Sequence, residues 1–365
     1  MHLTLHLTER CNLRCSYCYA PPGAADMSFE TARQAIERLA VGANCGLVFF
    51  GGEPLLRRDL IARILEWCEA GQPHRFHYKV TTNGTLLDQG FLDLAERHGL
   101  QIAISHDGAR AAHDAHRVRP DGTGTFEELE ARLGLLLARR PYAPVMMVVN
   151  PTVVEHLAEG VEHLYARGAR YLICSLNHAG GWDDRSLRRL QRQYRKLERW
   201  YLERFRREQK VYFSPFDKRI AAHIAGRDTS SCQLGRRQIS VAPDGTLYPC
   251  VQFAGRRECA IGTAQAGLDE RLRAEVHDRN EREKPACRGC ALLGRCHNKC
   301  GCLNMQTTGS LEAVPAVLCE HERMLLPIAD RIAGKLYARR DPLFIQRHYN
   351  PLFPVLSFLE DIAGS

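Results

Sequence analysis

The chain has 365 residues, 45% of them hydrophobic and 25% charged, with a formal charge of +8. This is the profile of a soluble globular protein with room for one large domain plus a small one, or two of medium size. No apolar run approaches the length of a membrane span, and the N-terminus enters a strand-like segment without the marks of a signal peptide, so the expected location is the cytoplasm.

The first half alternates strand and helix signals with short connections. Strands are expected near Leu3–Leu7, Leu47–Phe50, Tyr78–Thr81, Ile102–Ser105, Val145–Val149 and Tyr171–Ser175. Phe29, Ala32, Ile36 and Leu39 mark a first helix, entered through Ser28 as its cap. Leu60 to Cys68, Leu92 to Leu100, Leu133 to Leu137 and Val161 to Leu164 mark the next four. Six βα units in a row imply a parallel sheet with helices outside. Six are too few for a closed eight-fold barrel, so an open, partial barrel of the TIM type is expected.

Between Arg185 and Lys210 there are eleven basic residues against three acidic. Leu187, Leu190, Tyr194, Leu197 and Tyr201 recur there at helical spacing. The plain reading is a long surface helix with a solvated basic face; the other is a docking face for an acidic partner. Nothing else in the pattern points to nucleic acid. Past Lys210 the strands shorten, with a hairpin signal at Asp244–Gly245, and cysteines dominate from Cys232 to Cys319. From Met324 onward the chain reads as helix and tail. The expected boundaries are 1–208 for the barrel, 209–325 for a bridge and a small cysteine-rich domain, and 326–365 for the tail.

In a sheet of this kind, chemistry sits on the loops after the strand C-terminal ends. The polar and Gly-rich stretches fall there. They are the loop with Cys11, Cys15 and Cys18, then "GGEP" (Gly51, Gly52, Glu53, Pro54), "TNGT" from Thr82 and Asn83, "SHDG" from Ser105 through Asp107, then Asn150 and Asn177.

Fifteen cysteines in tight clusters point to metal rather than disulfides in a reducing compartment. Three thiolates close together leave one corner of a four-iron cluster open to another ligand. Structural zinc is the alternative, with His6 as a fourth ligand. Cys45, Cys68 and Cys174 sit in or beside strands and helices and read as core.

Cys11-x3-Cys15-x2-Cys18, with the rim motifs in order behind it, resembles the cluster loop of the radical S-adenosylmethionine (SAM) superfamily. The resemblance implies a cluster whose free iron binds SAM. It further implies that Glu53, within Gly51, Gly52 and Pro54, accepts from the SAM amino group. Ser105 and Asp107 would lie beside the ribose and methionine end, Arg117 would face the carboxylate, and Thr82, Asn83 and Asn150 would line the rim. The span from Cys232 to Cys319 is similar to a SPASM domain, which carries two auxiliary four-iron clusters. By that resemblance Cys287, Cys290, Cys296 and Cys319 hold the outer cluster, and Cys232, Cys250 and Cys300 the inner one. Full-ligand members have a further cysteine between the positions of Cys232 and Cys250, and this chain has none. Either the inner cluster has an open iron, or Cys259 or Cys302 completes it.

The implied cofactors are SAM and three [4Fe–4S] clusters, and the implied activity is hydrogen abstraction by a 5′-deoxyadenosyl radical. The implied substrate is a peptide or protein, because "GTLYPCVQFAG" looks like the matching segment of ribosomal-peptide maturases that form thioether or carbon–carbon links. A flavodoxin- or ferredoxin-type reductant and a separate leader-peptide-binding protein are the expected partners. The alternatives are a SAM enzyme acting on a small molecule and a formylglycine-forming sulfatase maturase, which carries Asp where Val251 follows Cys250 here. A non-catalytic iron–sulfur carrier or zinc-knuckle protein would not need the rim motifs. His106, His113 and His178, near the rim, read as structural or solvent-exposed.

Overall fold

The computed structural model describes residues 2–20, 23–40, 44–71, 75–226 and 232–352. Six βα units run in the expected order. Strand β1 (His2–His6) leads to α1 (Phe29–Leu39), β2 (Asn44–Phe50), α2 (Arg58–Gly71), β3 (Arg75–Thr82), α3 (Gln89–Arg97) and β4 (Gln101–Ser105). Then come α4 (Arg110–Asp114), α5 (Phe126–Arg139), β5 (Pro144–Val149), α6 (Leu157–Ala166) and β6 (Tyr171–Leu176). Neighbours among these strands pair in parallel. Alternation decides which face is covered: Leu3 and Leu5 of β1 and Leu47 and Phe49 of β2 enter the main core beneath the helices. Ser28 caps α1, its Oγ accepting from the Thr31 amide at 3.0 Å, and Ala32, Ala35, Ile36 and Leu39 bury one face. Full burial of each large aliphatic side chain contributes about 1.5–3 kcal/mol.

The basic helix α7 (Asp184–Arg206) starts on a capping box made by Asp183 and Ser186. Leu190, Tyr194, Leu197 and Tyr201 are buried, whereas Leu187 is half-buried and Arg188, Arg192, Arg195 and Arg199 face water. Chemically this is the amphipathic surface helix that the spacing predicts.

The second region departs from the expected boundaries. Strand β7 (Tyr212–Phe213) pairs in parallel with β6, and α8 (Ser214–Ala225) packs on both. Strand β8 (Gln238–Val241) pairs in parallel with β1, and β9 (Leu247–Tyr248) closes the expected hairpin. The sheet thus has nine strands in the order β7-β6-β5-β4-β3-β2-β1-β8-β9, and it does not stop at residue 208. Backbone groups on the free edges of β1 and β6 need partners, and the later strands supply them.

A short hairpin, β10 (Gly262–Thr263) with β11 (Gly267–Leu268), precedes α9 (Glu270–Glu281) and α10 (Gly301–Thr308). Helix α11 (Ala316–Ala338) then runs unbroken across the expected boundary at 325, with Pro327 inside it. Its apolar stripe, Leu318, Leu325, Ile328, Ala329, Ile332 and Leu336, is buried along the whole length. That packing outweighs the single hydrogen bond a proline removes. Helix α12 (Pro342–Tyr349) follows, and the tail beyond residue 352 lies outside the described residues.

Candidate active site and cysteine clusters

The first cysteine loop leaves β1 and is held from two sides. Gly52 donates its amide to Thr8 O at 2.8 Å, and Glu53 donates to Arg10 O at 2.9 Å. A Cβ on Gly52 would fall 2.2 Å from Arg10 O, and Gly51 takes a φ of +135° against Thr8. The glycines of "GGEP" therefore let the second loop lie directly on the cysteine loop. Cys11 and Cys18 are exposed and Cys15 is half-buried. The Leu13 amide points at Cys11 Sγ at 3.4 Å, and Asn83 Nδ2 lies 3.9 Å from the same sulfur.

Glu53 is fully buried. Its carboxylate accepts from Thr82 Oγ1 at 2.7 Å, Asn83 N at 2.8 Å and Leu55 N at 3.0 Å. Burial raises its pKa, and these three donors work against that rise. Pro54 opens the short 3₁₀ turn behind it. Asn83 in turn donates to Asn12 Oδ1 at 2.9 Å, tying the third rim loop to the first.

Asp107 is a hub rather than a free carboxylate. It accepts from Arg117 Nε at 2.9 Å and Nη2 at 3.3 Å, from Tyr17 Oη at 2.6 Å and from Val148 N at 2.8 Å. A carboxylate offers about four acceptor sites. All are in use, so a ribose hydroxyl would have to displace a protein donor. Burial pushes the Asp107 carboxyl up, but the Arg117 guanidinium, His113 and the Tyr17 hydroxyl together outweigh it and hold the pKa below its ordinary value. Arg117 is itself buried and lies over the Tyr17 ring at 5.3 Å. Ser105, half-buried, ends β4 beside this hub. Asn150 is buried and accepts from Asn177 Nδ2 at 2.8 Å, while its own Nδ2 is buried with no partner.

The rim histidines divide by surroundings. His106 and His163 both reach Glu130 Oε1, at 3.1 Å and 2.9 Å, and His113 reaches Thr125 Oγ1 at 3.1 Å, a network behind the rim. Burial lowers His6 to about 4 and His178 to about 4, so both are neutral at pH 7. Cys45 and Cys68 are in the main core, and Cys174 packs against it.

In the second region several cysteines lie within electrostatic reach of one another. Cys296 and Cys319 each have Cys287 and Cys290 as charged neighbours. Cys232 neighbours Cys300 and Cys250. Donors aim at these sulfurs: Asn298 Nδ2 at Cys287 Sγ (3.5 Å), Asn280 Nδ2 at Cys232 Sγ (3.6 Å), and backbone amides at Cys250 and Cys300. Such N–H···S contacts suit anionic, metal-bound thiolates and tune the metal they hold. Among the described residues no three His, Cys, Asp or Glu side chains converge on one ion-sized point. None of the fifteen cysteines forms a disulfide.

The sequence does not single out Tyr17, Asn12 or Asn280 for these contacts. Tyr17 carries a signal, its place inside the cysteine loop, whereas Asn280 carries none.

Residues 5–164 match the model of the Radical SAM superfamily. An uncharacterized protein of Methanocaldococcus jannaschii is 32% identical over 174 residues, 46% of this chain and 60% of that protein. The chain thus spans less than two thirds of that relative. A serine-type anaerobic sulfatase-maturating enzyme of Klebsiella aerogenes is 27% identical over 66% of this chain and 64% of its own length. Among solved structures, native anSMEcpe with bound AdoMet and Cp18Cys peptide superposes with a TM-score of 0.79 at 19% identity, over 92% of this chain and 99% of that one. Streptococcus suis SuiB bound to precursor peptide SuiA gives 0.60 at 17% identity, over 87% and 75%. These likenesses establish the fold. No helix among the described residues is long and apolar enough to cross a membrane.

Proposed function

The chain carries a radical SAM domain, and on that premise we propose that it modifies a peptide or protein, forming a thioether or carbon–carbon link or a related oxidation. The observation that carries the reading is the first loop: three thiols, Cys11, Cys15 and Cys18, without a fourth cysteine beside them, locked by backbone hydrogen bonds onto the loop of Glu53. Cys11, Cys15 and Cys18 would hold a four-iron cluster there, and that cluster would supply the one-electron reduction of SAM that starts hydrogen abstraction from the substrate.

The chain's own residues do the holding. Glu53 is fixed by three donors on neighbouring loops and keeps one acceptor direction for an ammonium group. Thr82 and Asn83 fix Glu53. Asp107 fixes Arg117 and Tyr17, so its role is to position the cluster loop from behind. Asn150 offers an unpaired amide donor at the rim. Cys287, Cys290, Cys296 and Cys319 hold an outer auxiliary cluster, and Cys232, Cys250 and Cys300 belong to an inner one.

A peptide substrate is supported by the solved structures of similar fold, two of which are described with peptides bound. The similar sulfatase-maturating enzymes favour a second reading, formylglycine formation. Val251 follows Cys250 where that reading needs an acid, and it has no proton-accepting group. We place the enzyme in the cytoplasm with a flavodoxin- or ferredoxin-type reductant. A separate leader-binding protein or the basic face of α7 would recruit the peptide.

The test is anaerobic incubation of the iron-loaded chain with SAM, reductant and cysteine- or aromatic-containing peptides encoded beside its gene. A peptide product lighter by one hydrogen molecule is expected. Turnover of a small molecule, with every such peptide unchanged, would overturn the peptide reading. Formylglycine in the product would select the second one.

A further inference from the structure

We propose that Cys302 is the fourth ligand of the inner cluster, closing the corner that the missing cysteine between Cys232 and Cys250 leaves open. The inference rests on the reading of this region as an iron–sulfur site.

Two cysteines are spare, and their surroundings differ. Cys259 is half-buried, and its charged neighbours are Glu258, Arg256 and Arg279, with no cysteine among them. Cys302 Sγ lies 3.7 Å from Cys300 Sγ, and the Cys250 thiol is its other sulfur neighbour. Cys232 neighbours both Cys300 and Cys250. Cys302 thus stands beside Cys300 and Cys250, which Cys232 neighbours in turn, whereas Cys259 has no cysteine among its charged neighbours.

The local backbone explains how residues 300 and 302 face the same way. Within a helix, residues two apart point to different sides. Cys300 is the N-cap of α10, with φ −76° and ψ 89°, outside the helical region. The break turns its thiol toward that of Cys302. Gly301 between them is pressed against α9: a Cβ there would fall 2.5 Å from Asn280 Oδ1 and 2.7 Å from Leu234 Cδ2. Asn280 donates both to Cys232 Sγ at 3.6 Å and to Lys299 O at 2.9 Å. One buried amide thus ties the distant Cys232 to the start of α10.

A second, independent observation points to the same place. The Tyr19 hydroxyl is buried and has no hydrogen-bond partner. Its charged neighbours are the sulfurs of Cys250, Cys18 and Cys302. A buried phenol needs an acceptor, and thiolates carrying cluster charge are the acceptors within its surroundings. Tyr19 also follows Cys18 directly, so it stands between the first cysteine loop and the inner site. A closed inner cluster has no free iron for a substrate thiolate. Its role is then electron transfer, not substrate binding.

The experiment uses the full chain carrying Cys11→Ala, Cys15→Ala and Cys18→Ala, so that only the second region can hold iron. Reconstituted anaerobically, this parent should hold about eight irons, and its reduced EPR spectrum should not change on adding imidazole. Adding Cys259→Ala should change neither. Adding Cys302→Ala should make the spectrum respond to imidazole, and Cys302→Ser should keep the iron while shifting the signal. A mere packing role for residue 302 would move none of these spectra. The proposal is overturned if the Cys302 variants match the parent, if Cys259→Ala is the responsive variant, or if the parent itself responds. A parent that holds zinc, or about four irons or fewer, overturns the underlying iron–sulfur reading along with it.

Discussion

Asp107→Ala tests whether the rim hub is structural. The change removes the carboxylate that accepts four protein donors and leaves the Arg117 guanidinium, with a side chain only 7% exposed, without its partner. Breaking a buried pair by removing one member costs about 3–5 kcal/mol, because the remaining charge stays desolvated. The Val148 amide and Tyr17 hydroxyl also lose their acceptor, at about 1–3 kcal/mol each when they remain buried. These costs overlap, so the expected loss is about 4–6 kcal/mol. That is a large part of the roughly 5–15 kcal/mol that holds a domain together. Anaerobic urea unfolding followed by tryptophan fluorescence gives the value. Adding Arg117→Met to Asp107→Ala should recover part of the loss, since no orphan charge remains. An Asp107→Ala cost below about 1 kcal/mol, or simple additivity in the double variant, would refute the hub.

Three further outcomes follow from the geometry. Gly52→Ala forces the second loop off Arg10 O, so the reconstituted variant should lose about four irons, those of the first loop, and keep the rest; an unchanged iron content would contradict the contact. Glu322→Gln breaks the buried pair with Arg219 (2.5 Å and 2.9 Å) that joins α11 to α8, and stability should fall by about 3–5 kcal/mol, read from a lower urea midpoint. Burial pushes the Glu322 carboxyl up, but His297 and Arg219 together bring it from 4.5 down to about 2. Its stability contribution is therefore complete above pH 4.5 and lost as pH falls toward 2, and the acid side of the stability curve should flatten in Glu322→Gln. Glu53→Gln removes the charge and puts an amide donor either against Thr82 Oγ1 and Leu55 N or against Asn83 N, so SAM affinity by equilibrium dialysis should fall at least tenfold, about 1.4 kcal/mol.

The six core strands were legible because Leu3–Leu5 and Val145–Val149 repeat at the strand period and polar loops follow each one. Ser28 announced α1 by its cap. The pairing of β7 and β8 into the same sheet was not legible, because two to four residues carry no period and their partners are far along the chain. Pro327 lies inside the stretch that reads as helix, and the buried stripe from Leu318 to Leu336 is what lets the helix run through it. At the site, residue types and order were visible, but partners were not. Asp107 looks like a ligand-facing acid until Arg117, Tyr17 and Val148 are seen to fill it. Cys302 looks like any spare thiol until the backbone break at Cys300 turns the two together.

The most direct test of the account is 5′-deoxyadenosine formation by the anaerobic, iron-loaded and reduced chain given SAM, run beside the variant with Cys11, Cys15 and Cys18 replaced by Ala. The account predicts 5′-deoxyadenosine from the native chain and none from the variant, with the variant still holding the iron of its second region. Equal yields from both proteins would contradict the assignment of the first loop as the place where SAM is cleaved.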